Sequence, residues 1–299
     1  MRSVIDDWSP RNDITTPLSG TPTFYNSGII KALSTSNEKI SVGQIDYLEY
    51  DEENFQYVIT PYWDIIDGLT SDVFQGIPGI DMNLRLRHYY RVNYVPVFIT
   101  ERSPSENRED LWELLEEVGL DYYDRFEWLL RTKMRAANDN LIVERRRNES
   151  ICIKYGEEEL DNLQYGDKMI VDSIEDFGNT NTGFSKEFYD VLIRGVDVVD
   201  NDENILVEAL QRASLIRLLR YQQLLDKKNR SNKQQIGIEK ARENGAYKGR
   251  KPINVDAHVL EQTVYEFRQG IISLDEAMKR TKIGSKSTFY RKIKQLEKR

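Results

Sequence analysis

A stretch of about forty residues without proline, from 205 to 244, most constrains the fold of this chain. It contains one internal glycine, Gly237, and its pattern is typical of a continuous helix. The first part carries an apolar stripe formed by Leu215, Leu218, Leu219 and Leu225. Residues 226–235 (DKKNRSNKQQ), by contrast, offer almost nothing to bury. We therefore predict a long helix over residues 214–244 that packs on a body or on a second copy of the chain and then continues as an arm.

The net charge of −8 is divided unevenly along the sequence. Residues 214–299 carry 21 Lys and Arg against 9 Asp and Glu, whereas residues 1–213 carry 21 against 41. Only the C-terminal segment therefore has the charge of a polyanion-binding surface. The alternative interpretation of such a charge run is a solvated face.

Residues 255–299 have the pattern of three short helices joined by tight turns, as in a helix-turn-helix domain. The first helix stops at Gly270, and a capping box, Ser273-Leu274-Asp275-Glu276, starts the second. Thr281 to Gly284 form the predicted turn, after which Ser285 or Ser287 caps the third helix. The predicted inward positions are Val259, Val264, Phe267, Ala277, Met278, Phe289, Ile293 and Leu296.

The third helix presents hydrogen-bond donors on its outward side, including Lys294. A helix of this kind fits the major groove of DNA, where residues near its N-terminus reach base edges and flanking cations meet phosphates. The predicted DNA-binding residues are Ser285, Lys286, Ser287, Thr288, Tyr290, Arg291 and Lys292. The alternative is a small three-helix bundle with a solvated basic surface.

Between the long helix and this domain, the composition is that of a flexible cationic linker. The run NGAYKGRKP (244–252) holds two glycines, one proline and three basic residues. We predict a linker over residues 245–254, with Lys248, Arg250 and Lys251 entering the minor groove of DNA.

The sequence before the long helix is predicted to form an α/β body. Strands are expected at 94–100 (YVPVFIT), 168–173 and 196–200, and a helix is expected at 184–193. A further helix, capped by Ser103 with Pro104 at its first position, should end at Gly119. Strands alternating with helices predict a mainly parallel sheet over residues 91–213.

The first 90 residues are expected to form a separate extension of unknown role. Residues 1–25 have the composition of a loose arm, and residues 40–63 alternate as strands do. The stretch QGIPGID (75–81) suggests a boundary before the next unit.

Composition excludes several classes of protein. No apolar run reaches the roughly 18 residues that a membrane span needs, and the N-terminus lacks the apolar stretch of a secretory signal, so we expect a cytoplasmic protein. With one cysteine, Cys152, and two histidines, His88 and His258, we expect no disulfide, metal site or cofactor, and we expect Cys152 to lie in the core.

Two segments carry a family resemblance. The run IGIEKARENGAYKGRKP from Ile236, followed by IGSKSTFYRKI, looks like the long helix, Gly-Arg-Lys linker and last helix of the resolvase/invertase serine recombinases. Residues 287–291 (STFYR) stand where that family has Ser-Thr-aliphatic-Tyr-Arg/Lys, and residues 166–180 (GDKMIVDSIEDFGNT) are similar to its GD-x-aliphatic-x-V-x-x-LDRLGR segment. The resemblance spans roughly residues 94–299 and implies a resolvase-like α/β body that binds DNA as a dimer.

The resemblance also implies a serine nucleophile surrounded by arginines, and these are missing here. Glu175-Asp176-Phe177-Gly178-Asn179 replaces the family's Asp-Arg-Leu-Gly-Arg, and Asn232-Lys233 replaces a Glu-Arg pair on the long helix. The serine position falls on Arg102 or Ser103, with Thr100 or Glu101 where an arginine belongs. Ser103 is therefore the one weak catalytic candidate.

These observations predict a sequence-specific DNA-binding protein, a catalytically inactive recombinase relative that acts as a dimer on a dyad site to regulate transcription or shape DNA. An active site-specific recombinase is the first alternative. The second is an adaptor or ligand sensor whose residues 1–213 bind a protein or small molecule while the C-terminal domain anchors it to DNA.

Overall fold

A computed structural model describes residues 16–157, 160–178, 181–200, 206–244 and 254–296. The chain divides into two compact units, Met1–Asn229 and Arg230–Arg299. We call the described part of the first unit the body and residues 254–296 the tail. The fold is mixed α/β, with two sheets in the body and three helices in the tail.

The larger sheet is antiparallel and has the strand order β4-β3-β2-β1-β5. Its strands are β1 (Phe24–Leu33), β2 (Lys39–Glu49), β3 (Phe55–Pro61), β4 (Tyr89–Val92) and β5 (Leu141–Arg145). β-Branched residues dominate its buried positions, and Ile29, Ile40 and Ile45 are completely buried. The β2–β3 turn is closed by Asp51, whose carboxylate accepts the Asn54 N–H at 2.8 Å.

The smaller sheet has the order β6-β7-β8-β9. Its strands are β6 (Cys152–Lys154), β7 (Lys168–Val171), β8 (Asp197–Asp200) and β9 (Leu206–Val207). The first three are parallel and β9 is antiparallel to β8. The helix at Asn181–Arg194 connects β7 to β8, as a parallel pair requires, because its strands cannot be joined by a hairpin.

Helices cover both sheets and form the whole tail. In the body they are α1 (Trp63–Ile66), α2 (Val97–Thr100), α3 (Leu111–Glu117), α4 (Arg125–Thr132), α5 (Asn181–Arg194) and the start of α6 (Ala209–Glu243), with 3-10 turns at Met82–Leu84, Leu160–Asn162 and Ile174–Phe177. The tail helices are α7 (Ala257–Arg268), α8 (Leu274–Arg280) and α9 (Lys286–Leu296).

The two sheets share one hydrophobic core. A single cluster joins Ile29 and Ile59 of the antiparallel sheet to Met169 and Val198 of the parallel sheet. Strand β5 pairs with β1, so the antiparallel sheet contains strands from both sides of residue 90. The expected boundary between an N-terminal extension and an α/β domain therefore falls inside one sheet, where the strand partners are distant in sequence.

The prediction of a mainly parallel sheet over residues 91–213 is confirmed only in part. Among the described residues of that range, β6, β7 and β8 are parallel, whereas β5 joins the antiparallel sheet through β1 and β9 is antiparallel to β8. The strand expected at 94–100 is also wrong, because residues 97–100 form helix α2. Pro96, at φ −58° and ψ 145°, precedes the helix and has no N–H to offer a strand partner. Phe98 and Ile99 are both buried in the helical turn, and a short apolar run suits either structure.

The helix expected to start at Ser103 begins eight residues later, at Leu111, after Asp110. Ser103 caps no helix here: its hydroxyl donates to the Ile99 carbonyl at 3.0 Å and so belongs to the end of α2. Leu111 and Leu115 are buried on one side of this helix, and Gly119 follows it at φ 71°.

Several other predictions of secondary structure are confirmed. Strands β2 and β3 lie within residues 39–61, β7 and β8 within the predicted segments, and helix α5 covers 184–193. Residues 16–23 form no helix or strand, whereas residues 1–15 lie outside the described part of the chain. Strand β1 was not predicted, and Cys152 is exposed on β6 rather than buried.

The root of helix α6 is fixed to helix α1 and to strand β8 by Arg212, whose side chain is almost completely buried. Its guanidinium forms ion pairs with Asp64 in α1 and with Asp197 in β8, the latter at 2.5 Å. Burial raises the pKa of the Asp64 carboxyl, and the neighbouring Arg212 opposes that shift. The Tyr165 hydroxyl also donates to Asp64 at 3.1 Å, and its ring stacks on Tyr62 with centroids 3.5 Å apart.

Gly68 allows helix α6 to approach α1 closely. A Cβ atom added to Gly68 would lie 2.9 Å from the Ala213 carbonyl oxygen and 2.9 Å from the Ile216 Cβ. Both distances are shorter than real Cβ contacts, so a side chain at this position would push the helix away.

We therefore predict that Gly68→Ala destabilises the body by about 1–3 kcal/mol through overpacking. Urea unfolding followed by tryptophan fluorescence measures this effect, because all four tryptophans precede residue 129. Gly237→Ala is the matched control: it lies in α6 with nothing within 4 Å of the added Cβ, so the body should unfold at an unchanged midpoint. Equal midpoints for Gly68→Ala and the native chain would contradict the close approach.

Candidate nucleic-acid interface

The three tail helices enclose a small hydrophobic core of their own. Its buried members are Leu260, Val264, Ile272, Ala277, Ile283, Phe289 and Ile293. The ring of Phe289 meets Phe267 edge to face with centroids 5.8 Å apart. Of the predicted inward positions, Val259 is 43 % exposed and the next residue, Leu260, is buried instead.

Local capping defines where the tail helices start. Asp256 accepts from the N–H of His258 at 2.9 Å before α7, and Ser273 accepts from the N–H of Glu276 at 3.3 Å before α8. At the end of α7, Gly270 has φ 71°, a conformation that favours glycine. The predicted helix ends are therefore confirmed to within a few residues.

A tight turn joins α8 to α9. The Thr281 hydroxyl donates to the Ala277 carbonyl at 2.8 Å, and Lys282 adopts φ 56°. Ile283 is buried under the turn, which anchors it to the core. The Ser285 hydroxyl accepts from the Thr288 N–H at 3.4 Å and lies 2.8 Å from the Ser287 hydroxyl, so the predicted cap of the third helix is present.

The burial of Phe289 and Ile293 fixes which side of α9 is exposed. Ser285, Lys286, Ser287 and Arg291 are exposed, and the Tyr290 side chain is 51 % exposed. Thr288 is half-buried at the margin of this face. We call the exposed side of α9 the donor face; its members are Ser285, Lys286, Ser287, Tyr290, Arg291 and Lys294.

Two lysines of α9 lie differently from what the predicted set of DNA-binding residues implied. Lys292 is half-buried and lines a groove with Asp256 and Glu261 at the start of α7, so it lies off the donor face. Lys294 is exposed, and its spacing from Ser287 and Arg291 is helical, so it lies on the donor face although it was not placed in the DNA-binding set. The linker residues Lys248, Arg250 and Lys251 lie outside the described part of the chain.

Charge is segregated within the tail. Helix α9 contains four Lys and Arg residues and no acidic residue, whereas the acidic residues of 254–296 all lie on α7, α8 or their caps. Arg280 of α8 is paired with Glu266 at 2.6 Å and with Glu276 at 3.4 Å. The cations of α8 are thus partly neutralised within the tail, while Lys286, Arg291 and Lys294 of α9 are exposed and have no acidic neighbour on their own helix.

Ser103, the weak catalytic candidate, lies on a loop after α2 and not at the end of a strand. Besides its bond to the Ile99 carbonyl, its hydroxyl accepts from Arg125 at 3.4 Å, and Arg125 itself pairs with Glu106 at 3.1 Å. The preceding Arg102 is buried in an ion pair with Asp139. Within the described residues, Arg125 is therefore the one arginine that contacts this hydroxyl, and no base does.

The loop after β7 uses its acidic residue to cap a turn. Asp176 accepts from the backbone N–H of Ser173 at 3.2 Å and of Asp172 at 3.1 Å, and Ser173 caps the turn in return. Asn179 lies outside the described part of the chain. A carboxylate fixed in this way would repel a phosphate brought to this loop.

Neither a protein-family model nor a curated protein matches this chain. Among the described residues, no His, Cys, Asp and Glu side chains group to hold a metal ion. No helix in that part of the chain is long and apolar enough to cross a membrane.

Proposed function

We propose that the chain is a sequence-specific DNA-binding protein whose donor face enters the major groove. One observation carries the proposal: α9 exposes Lys286, Ser287 and Arg291 on a helix without acidic residues, while Phe289 and Ile293 anchor its opposite side. A helix held after a tight turn, with its N-terminal side chains free, matches the geometry by which recognition helices meet base edges. The resolvase-like character of residues 94–299 is part of this proposal.

The proposed action is occupancy of DNA as a regulator or architectural factor, without strand cleavage. The hydroxyl of Ser103 is engaged with a backbone carbonyl, and Asp176 caps a turn where a phosphate-binding arginine would be needed. A nucleophilic serine needs a base and preorganised cations, and losing one transition-state donor already costs about 10²–10³ in rate.

A homodimer is the proposed assembly, paired through helix α6. The four leucines of the predicted apolar stripe lie on two different faces of α6. Leu219 is buried and Leu215 is half-buried, whereas Leu218 and Leu225 are 62 % and 41 % exposed. Tyr221, 60 % exposed, lies between them at helical spacing. This second face lies opposite the side of α6 that packs on the body, so a second copy could cover it and place two tails on related half-sites.

The DNA proposal predicts that full-length protein binds a random-sequence 40-base-pair duplex in dilute buffer and loses about 10³–10⁵ in affinity between 50 and 200 mM salt. Arg291→Gln should weaken binding roughly 5- to 100-fold, because one charge-assisted contact is removed. Fluorescence anisotropy measures both effects. Lys154→Gln, which removes an exposed charge from β6, should leave the affinity unchanged. A native chain that ignores DNA, or equal losses for both variants, would refute the proposal.

The loss of catalysis predicts that the native protein leaves supercoiled plasmid intact and forms no covalent adduct with it. The plasmid should carry a fragment selected from genomic DNA by binding to the protein, and denaturing gels detect nicks and adducts. Nicking that disappears in Ser103→Ala would instead establish an active recombinase.

The dimer proposal predicts that Leu218→Glu with Leu225→Glu yields monomers, because burying each leucine stabilises a dimer by about 1.5–3 kcal/mol and an unpaired carboxylate cannot be buried. Sedimentation equilibrium should then give the mass of one chain, 35.1 kDa, instead of twice that value. Gln222→Glu, at an exposed position beside the face, is the control and should remain dimeric. A native chain that sediments as a monomer would exclude this assembly.

A further inference from the structure

The body contains a cleft beside β5, the edge strand of the antiparallel sheet. Its volume is about 610 Å³, within the range of small-molecule sites. The cationic side chains that line it come from β1, the start of β2, the end of α4, β5 and the residue pair after β5; they are Lys31, Lys39, Lys133, Arg145 and Arg147. Segments distant in sequence thus bring five cations to one place, and we call it the lysine cleft.

Three lysine ammonium groups converge on one carboxylate in this cleft. Glu144 lies 2.6 Å from the Nζ of Lys31, 2.8 Å from that of Lys39 and 3.4 Å from that of Lys133. Burial alone would raise the pKa of Glu144, but the hydrogen bonds from Lys31 and Lys39 lower it to about 2. The carboxylate is therefore ionised at neutral pH, and one negative charge faces three positive charges.

The remaining charges of the cleft largely cancel in pairs. Arg145 is bound to Glu127 at 2.6 Å, a carboxylate that also pairs with Arg131 outside the cleft, and Arg147 is ion-paired with Asp167. Asp161, the other acidic residue of the lining, is ion-paired with Arg194. An excess of two positive charges therefore remains, and it belongs to the lysines.

This positive excess is opposite in sign to the net charge of the rest of the body. Residues 1–213 carry 41 acidic and 21 basic residues, yet the lysine cleft gathers five of those 21 cations. Lys31 is buried, which lowers the pKa of its amine, and the hydrogen bond to Glu144 opposes that shift. The side chains of Lys39 and Lys133 are 41 % and 51 % exposed, so their remaining N–H donors are accessible from solvent.

We propose that the lysine cleft binds the phosphate group of a small phosphomonoester. Lys39 and Lys133 donate to the phosphate oxygens, while Glu144 gathers the three amines and Lys31 holds Glu144 in place. A phosphomonoester carries a charge of about −1.5 to −2 at pH 7, which matches the excess of two positive charges. A phosphodiester of DNA carries one negative charge per phosphate, and a bounded cleft of this volume suits a small ligand better than a duplex.

Isothermal titration calorimetry on the full-length chain tests the proposal, with inorganic phosphate and adenosine 5′-monophosphate as separate probes in low-chloride buffer. We expect saturable binding with one phosphate group per chain. Lys39→Gln and Lys133→Gln should each weaken it about tenfold, the effect of losing one charge-assisted hydrogen bond, and the double variant should show no saturation. Lys154→Gln is the control and should bind as the native chain does. If the nucleotide binds more tightly than phosphate, the site also contacts the nucleoside part of the ligand.

Three outcomes would overturn the proposal: no saturable binding of either probe, native affinity in the double variant, or a loss of DNA affinity in Lys39→Gln and Lys133→Gln that would make the cleft a DNA contact. Unfolding followed by tryptophan fluorescence shows whether each variant keeps its body intact. The proposal does not depend on DNA binding, because the cleft lies in the body and the donor face in the tail. Loss of DNA binding in Arg291→Gln with unchanged phosphate binding would separate the two.

Discussion

The body depends on the buried guanidinium of Arg212, because this one group joins the start of α6 and strand β8 to helix α1, which lies 148 residues earlier in the sequence. It lies at the start of α6 between Asp64, which follows β3, and Asp197, the first residue of β8. A buried charge is tolerated only when it is paired, and removing one partner of such a group typically costs about 3–5 kcal/mol. That is a large share of the 5–15 kcal/mol that stabilises most domains. The antiparallel sheet, the parallel sheet and the root of α6 are therefore held as one unit.

The body and the tail carry opposite charge distributions. The body is strongly acidic, whereas α9 in the tail carries cations only, and this asymmetry would direct a polyanion to the tail. The lysine cleft is a local exception inside the body, where Glu144 concentrates three amines that its neighbours do not neutralise. If both proposals hold, the chain has one surface for a polymeric anion and a separate cleft for a small one. The arrangement would suit a DNA-bound protein that responds to a phosphorylated ligand.

Ser103 shows how one residue can satisfy a sequence pattern for a different reason. Ser103, followed by Pro104 and Glu106, has the pattern typical of a helix start, and the predicted recombinase resemblance places the nucleophile at Arg102 or Ser103. In the structure the Ser103 hydroxyl donates to a backbone carbonyl at the end of α2, and the neighbouring Arg102 forms a buried ion pair. The sequence does not reveal this, because the Asp139 that pairs with Arg102 lies 37 residues away.

The sequence by itself determined that the tail forms three short helices and that α6 is one long helix. Their apolar periodicity, the caps Asp256 and Ser273, and the positive φ of Gly270 are local properties, and local hydrogen bonds decide helices. Only the tertiary structure decided the antiparallel sheet, the helical state of residues 97–100 and the lysine cleft. Strands β1 and β5 are about a hundred residues apart, as are Glu144 and two of its partners, Lys31 and Lys39, and no local pattern records which of them meet.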